Sequence, residues 1–176
     1  MADSGLTGIL LVGGASTRFG SPKALARIDG HTLAEIAWET LAFCDERLAV
    51  GKAADGLDLP FALLDDSSDV RAPIAGVVAG LRAAANDVCV VLPVDTPRVT
   101  PAVLLGLAAA GAEVATPQTG PLPGAYRRTA LPALEAALAD GRLSLRDAVA
   151  GLDRLVVEID RDLLVNVNTA DELDRI

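Results

Sequence analysis

Ile9-Leu10-Leu11-Val12-Gly13-Gly14-Ala15-Ser16-Thr17-Arg18-Phe19-Gly20-Ser21-Pro22-Lys23 joins a continuous apolar run directly to a glycine-rich, cationic loop. Four apolar residues without alternation predict a strand buried on both faces, as in the middle of a parallel sheet. The strand is expected to end at Gly13. Two adjacent glycines let the backbone approach a ligand closely and turn successive N–H groups toward one point, a nest for anionic oxygens. Arg18 and Lys23 add full positive charges to the same loop. Five residues separate Gly14 from Gly20 and Ser21 follows it, so the loop is not a Walker A. Nor does the glycine spacing match the dinucleotide fingerprint, which disfavours a P-loop kinase, a GTPase or a dehydrogenase. A solvated surface loop is the bland alternative, but it leaves Gly-Gly, Ser-Thr-Arg and Pro-Lys in one stretch without a reason.

Working outward, strands and helices alternate. Thr32 followed by Glu35 reads as a capping box opening a helix through Trp38 to about Phe43. Residues 47–50 and 61–64 read as strands, the second followed by the polar run Asp65-Asp66-Ser67-Ser68-Asp69. Pro73 starts a small-residue helix over 74–85, and 88–92 reads as a central strand with Asp95 just past its end. Thr100 and Pro101 supply a cap and a first-turn proline for a helix over 102–110 that stops at Gly111. Residues 113–116 and 125–128 are weaker strands, the second a candidate antiparallel ribbon. Helices follow at 131–139 and 145–150. Short β segments are expected at 156–159 and 163–165, and Thr169 with Glu172 forms a second capping box before the last helix.

Strands separated by helical stretches of about ten residues imply βαβ units. The expectation is an α/β fold with a mostly parallel mixed sheet and helices on both faces, in one domain covering residues 1–176. Ligands of such sheets bind beyond the carboxyl ends of the strands. The residues to inspect are therefore 13–23, 65–68, Asp95 and 166–169.

Composition narrows the function. The chain has 51% apolar and 22% charged residues, too hydrophobic for disorder. No apolar run approaches the roughly 20 residues a bilayer requires, and Asp3 sits where a secretion signal wants positive charge, so a cytoplasmic, soluble protein is expected. A formal charge of −9 disfavours nucleic acid and anionic membranes as partners. Against that background Arg18, Lys23 and Arg27 lie between Gly14 and Ile28 with no acid among them, a local anion site on an acidic protein. Cys44 and Cys89 lack metal-ligand spacing and read as reduced core residues. His31 is the single histidine, so a catalytic dyad or triad built on histidine would have to use that one residue, and its place in a Gly30-His31 turn disfavours this.

With these residues in view, the chain resembles the molybdenum cofactor guanylyltransferases, within the nucleotidyltransferases that share a Leu-x-Gly-Gly-x-Ser-x-Arg-x-Gly-x-x-Lys signature. Here that signature is the stretch from Leu11 to Lys23. The likeness continues through Ala72-Pro73-Ile74-Ala75-Gly76, Leu92-Pro93-Val94-Asp95-Thr96-Pro97, Ala125-Tyr126-Arg127-Arg128 and Val165-Asn166-Val167-Asn168-Thr169. The Asn-Val-Asn-Thr ending tilts the resemblance to the guanylyl members. Cytidylyl relatives typically show an Asp-x-Asp-Thr-like ending there. A cytidylyltransferase for the molybdenum cofactor or a sugar-phosphate nucleotidyltransferase is the nearer alternative. A nucleotide-binding module without catalysis is the more distant one, disfavoured by the presence of both Lys23 and Asp95.

The resemblance implies a three-layer Rossmann-like nucleotidyltransferase fold. It implies a reaction that joins GMP from GTP to molybdopterin with release of pyrophosphate, using Mg2+. It also implies molybdoenzymes or cofactor-insertion proteins as further partners. The attacking group is then a substrate phosphate already ionised at neutral pH, so no protein base or covalent nucleophile is required. Positioning and charge neutralisation are what the protein supplies. Lys23, Arg18 and Asp95 are the catalytic candidates, with Asp95 the metal ligand. Leu11, Val12, Gly13, Gly14, Lys23, Asp66, Gly76 and Asp95 are the nucleotide-binding candidates, and Asn166 and Asn168 the substrate-binding ones. Asp66 has the chemistry to accept from guanine N1–H and its exocyclic amine, a donor pair adenine lacks. Position 12 is usually Ala in the family, so Val12 adds bulk near the nucleotide. Gly76 and Gly80 serve helix packing or ligand approach, and Arg127-Arg128 are candidates for the pterin phosphate or for plain solvated charge.

Overall fold

The apolar run that opens the chain forms β1 (Leu6–Leu11), and its side chains divide between two cores. Ile9 and Leu11 enter one cluster, Leu10 and Val12 the other. Successive residues of a strand point to opposite faces, so an unalternating apolar run is the signature of a strand covered on both sides. The computed structural model describes residues 5–13 and 22–173.

A two-residue ribbon, β2 (Arg27–Ile28) and β3 (His31–Thr32), precedes α1 (Leu33–Thr40). β4 (Glu46–Gly51) and β5 (Leu63–Asp65) come next, then α2 (Pro73–Ala83), β6 (Val88–Pro93) and α3 (Pro101–Ala108). β7 (Val114–Pro117), β8 (Gly124–Arg127), α4 (Leu131–Ala139), α5 (Leu145–Val149), β9 (Arg154–Val157) and α6 (Ala170–Leu173) complete the order. One seven-stranded sheet runs β5-β4-β1-β6-β8-β7-β9. All strands are parallel except β8, which is antiparallel to both β6 and β7. The expected ribbon at 125–128 is thus an inverted strand inside the sheet.

Ile74, Val77 and Leu81 of α2, Leu134 of α4 and Val149 of α5 pack with Ile9 and Val91 on one face. Leu33, Ala37 and Leu41 from the α1 side, with Leu104 and Leu107 of α3, pack with Leu10 and Leu92 on the other. The architecture is therefore three-layered, as expected. The chain winds outward from β1 through β4 and β5, then crosses by α2 to β6 on the opposite side of β1. The topological switch point lies between β1 and β6, and the carboxyl ends of those strands are where such sheets bind ligands.

The Thr32 capping box forms in both directions: Thr32 Oγ1 accepts from Glu35 N at 3.1 Å, and Glu35 Oε2 accepts from Thr32 N at 2.7 Å. The second capping box is half realised. Thr169 Oγ1 accepts from Glu172 N, but the Glu172 carboxylate takes Asn168 N–H instead of the cap's own. Residues 163–165 are not a strand. Arg161–Leu164 is a 3-10 turn, because Asp160 accepts from Asp162 N through its side chain and from Leu163 N through its carbonyl. The β2-β3 ribbon was not expected either. Its turn holds Asp29 and Gly30 at φ of 48° and 86°, the left-handed pair of a type I′ hairpin.

Candidate active site

A cavity of about 330 Å³ opens at the switch point, lined from β1 by Leu11, Val12 and Gly13, and from β6 by Pro93, Val94 and Asp95. Its volume is at the lower end for ligand pockets. β1 is stitched to both neighbours there: Val12 N donates to the Val50 carbonyl of β4 at 3.0 Å, and Val94 N, just past β6, to Leu11 O at 3.0 Å. Gly14 and Arg18 lie outside the described residues. The other proposed nucleotide-binding residues, Leu11, Val12, Gly13, Lys23, Asp66, Gly76 and Asp95, all line this one cavity.

Lys23 opens a short 3-10 turn (Lys23–Leu25). Its ammonium lies 3.3 Å from Asp95 Oδ2 and donates to Asn168 Oδ1 at 3.2 Å. The Lys23 and Asp95 side chains are 18% and 23% exposed, enough for an incoming ligand to reach both. Asp95 occupies the turn just past β6, and its carbonyl accepts Val167 N at 2.8 Å. That bond brings the 166–168 segment to the cavity mouth, and with it the Asn168 amide. Asn166, by contrast, is exposed and does not line the cavity.

One carboxylate and one amide oxygen thus converge on a single cationic point. Hard divalent cations commonly take one or two protein oxygens and complete their shell with water and phosphate, and this donor pair fits that need. Among the described residues no group of three His, Cys, Asp or Glu side chains gathers to form an all-protein metal cage.

Glycines shape the wall. A Cβ on Gly76 would meet Leu11 Cδ2 at 2.9 Å, and a Cβ on Gly51 would meet Val12 Cγ2 at 2.8 Å. Val12 is 4% exposed, so the bulk it adds relative to Ala is taken up by the hydrogen at Gly51. The N-terminus of α2 faces the cavity through Ala72 and Pro73, and no side chain caps it. The helix dipole places partial positive charge at this end.

Two cations in the wall escaped sequence reasoning. Lys52 follows β4 and Asp66 follows β5, neighbouring strands registered Gly51 to Asp65. Lys52 Nζ bonds Asp66 Oδ1 at 2.6 Å and the Ser68 carbonyl. These side chains are 12% and 7% exposed. Arg71 forms a two-pronged pair with Asp55, with bonds of 2.7 and 3.2 Å. The Arg71 guanidinium bonded to Asp55 holds that carboxyl below its ordinary range. The signal available was position alone: Lys52 stands one residue past a strand end.

Arg127 is far from this site. It registers with Val88, the first residue of β6, whereas the cavity takes Pro93 at that strand's other end, roughly 17 Å away at strand rise. Its guanidinium pairs with Asp87 at 3.0 Å. A role for Arg127 at the pterin phosphate is therefore set aside. Burial pushes the Cys44 and Cys89 thiols up to about 12, so both stay protonated and neither is a nucleophile at neutral pH.

Lys23, Lys52 and Arg71 thus line one cavity, and each of them is paired with a carboxylate, Asp95, Asp66 and Asp55 in turn. Comparisons with known proteins identify the family. The family model described as MobA-like NTP transferase domain matches residues 8–155. The chain is 30% identical to the molybdenum cofactor guanylyltransferase of Desulfosudis oleivorans, over 97% of this chain and 93% of that one. It is 33% identical to the probable molybdenum cofactor guanylyltransferase of Deinococcus radiodurans, covering 96% and 92%. The crystal structure of molybdopterin-guanine dinucleotide biosynthesis protein A from Archaeoglobus fulgidus superposes with a TM-score of 0.82 at 27% identity, covering 96% and 95%. With a match over most of its length and the strand-end cavity that chemistry needs, the chain belongs to the MobA-like NTP transferases and is a nucleotidyltransferase.

Proposed function

We propose that the chain transfers GMP from GTP to molybdopterin, acting as one catalytic domain over residues 1–176 in the cytoplasm. A phosphate oxygen of molybdopterin attacks the α-phosphorus of GTP, a new P–O–P linkage forms, the α–β bond breaks, and pyrophosphate leaves with the electron pair. The observation that carries this reading is the convergence of Lys23, Asp95 and Asn168 at the cavity mouth beside Gly13. The guanylyl names of the full-length relatives support the choice of nucleotide and acceptor.

In-line transfer between two ionised phosphates asks for alignment and for positive charge where the leaving group develops negative charge. Lys23 supplies charge to the α-phosphate and the departing oxygen, joined by Arg18 and the Gly13-Gly14 amides. Asp95, with Asn168 beside it, would hold a magnesium ion, which would offset the negative charge of the phosphates. Leu11 and Val12 lie along the nucleoside, Gly76 leaves room for it, and Asp66 accepts from the guanine edge. Asn166 and Asn168 are assigned to the acceptor side. Molybdoenzymes or cofactor-insertion proteins would take the product.

The test is a melting panel with GTP, CTP, UTP and ATP, each with magnesium. A ligand at a hundred times its Kd adds about 2.7 kcal/mol, or roughly 5–10 °C for a chain of this size. GTP should shift the transition most. A larger shift with CTP would replace the guanylyl reading by a cytidylyl one. Asp95→Ala should lower kcat for GMP transfer by about 10² to 10³, and unchanged turnover would remove Asp95 from the reaction.

A further inference from the structure

Lys52 is the most buried cation of the cavity wall, and burial of a lysine needs a reason. Its ammonium has three N–H groups. Two are spent on Asp66 Oδ1 and the Ser68 carbonyl. Asp66 Oδ1 also accepts Ser68 N at 3.1 Å. Both bonds to Asp66 thus fall on one oxygen. Among the described residues Oδ2 takes none. The pair therefore presents to the cavity a remaining N–H donor immediately beside a carboxylate acceptor, on two rigid strand ends.

We propose that Lys52 is a specificity-determining residue, whose ammonium donates to the 6-oxygen of guanine while Asp66 accepts from the neighbouring N1–H and exocyclic amine. The idea rests on the guanylyl reading above and sharpens it. Asp66 alone selects for N–H donors. Lys52 adds the demand for a carbonyl next to them. Adenine and cytosine put an amino group where Lys52 needs an acceptor and a bare ring nitrogen where Asp66 needs a donor. Uracil satisfies the carbonyl and the ring N–H, but turns a second carbonyl, not an amine, toward the carboxylate. Guanine alone meets all three. Two charges held against each other also fix the order of donor and acceptor along the edge, which a single mobile side chain does not.

The experiment measures Kd for GTP, ITP, ATP and 2-aminopurine riboside triphosphate with the wild-type protein, Lys52→Met and Lys52→Arg. In the wild type, GTP should bind tightest and ITP somewhat weaker, for want of the amine. The 2-aminopurine nucleotide, which lacks the oxygen, should bind far more weakly. In Lys52→Met the affinities for GTP and ITP should fall by about 10- to 100-fold, the range for a hydrogen bond from a charged donor. ATP and 2-aminopurine triphosphate should move less than about 3-fold, so that the preference collapses. Lys52→Arg, which keeps charge and donor, should retain most of it and shows that the fold tolerates change there. An equal loss for all four nucleotides would make Lys52 a strap for the 65–68 loop and overturn the proposal. So would a preference that survives in Lys52→Met. A wild-type protein with no preference for GTP would instead overturn the guanylyl reading itself.

Discussion

Lys23 is bonded to residues 72 and 145 positions away in the chain, so one side chain gathers three distant segments at the cavity mouth. The pair is only partly exposed, and its long 3.3 Å contact limits what it adds to folding to about 1 kcal/mol. Facing a transferring phosphate, the same charge is worth much more. Lys23→Ala is therefore expected to lower kcat by about 10² while lowering Tm by no more than about 2–4 °C. Steady-state kinetics and a melting curve on one preparation check both halves. A wild-type rate in that variant would contradict the phosphate role of the loop. At this scale the sequence was legible wherever a motif placed a residue just past a strand: Leu11, Gly13, Lys23, Asp66 and Asp95 meet in one cavity. Lys52 and Arg71 were not legible, because nothing in residue type separates a lysine after a strand from a solvated one. Only the registration of β4 against β5 brings Lys52 to Asp66.

Among the elements, α2 shows most directly how composition sets distance. Gly76 and Gly80 lie on the face that meets β1, and a Cβ on Gly80 would approach three atoms of Ile9 at 2.7, 2.8 and 3.2 Å. Two effects compete in Gly80→Ala. Alanine is a better helix former by about 1 kcal/mol. Overpacking a dense core costs typically about 1–3 kcal/mol. Ile9 is fully buried and β-branched, hence stiff at χ1 and unable to swing aside. Overpacking should win, and Gly80→Ala should lower the melting temperature by a few degrees. An unchanged or raised transition would show that α2 yields to the extra methyl. Elements with an unambiguous signal formed where expected: the unalternating run of β1, the capping box of α1, the Thr100-Pro101 start of α3. The misplaced ones depended on local polar competition. Asp160 drew the following amides into a 3-10 turn, and Asp29-Gly30 made a ribbon within a stretch too short to show alternation.

For the molecule as a whole, alternation of strands and helices announced three layers. The inversion of β8 and the final strand order depend on pairing across long separations, which no local pattern encodes. Titration also acts at this scale. Glu35 is held below the ordinary carboxylate range by the Thr32 N–H, Asp55 by Arg71, and Asp65 by the Ser67 and Ala53 amides. Groups lowered in the folded state stabilise it above their unfolded values near 4 and cease to do so as pH falls through their folded values. The thiols of buried Cys89 and half-buried Cys44 act at the other end. The folded chain keeps protons that an unfolded one releases near pH 8.5, so stability declines as pH climbs from there toward 12. Melting temperatures measured from pH 3 to 11 should form a plateau between about 5 and 8 with a fall on each side. A transition that kept rising below pH 4 would contradict the acid limb.

The bond from Val167 N to the Asp95 carbonyl fastens a later segment onto a turn made well before it. A ribosome-bound chain displaying its first hundred residues already has β1, β4, β5 and β6, hence a berth for a nucleobase, yet it lacks Asn168. The third partner at the charged end of the berth arrives only with residue 168. Such a chain holds Lys23 and Asp95 but not the amide that brackets the Lys23 ammonium from the other side, so the cationic point is enclosed by both partners only after residue 168 is made.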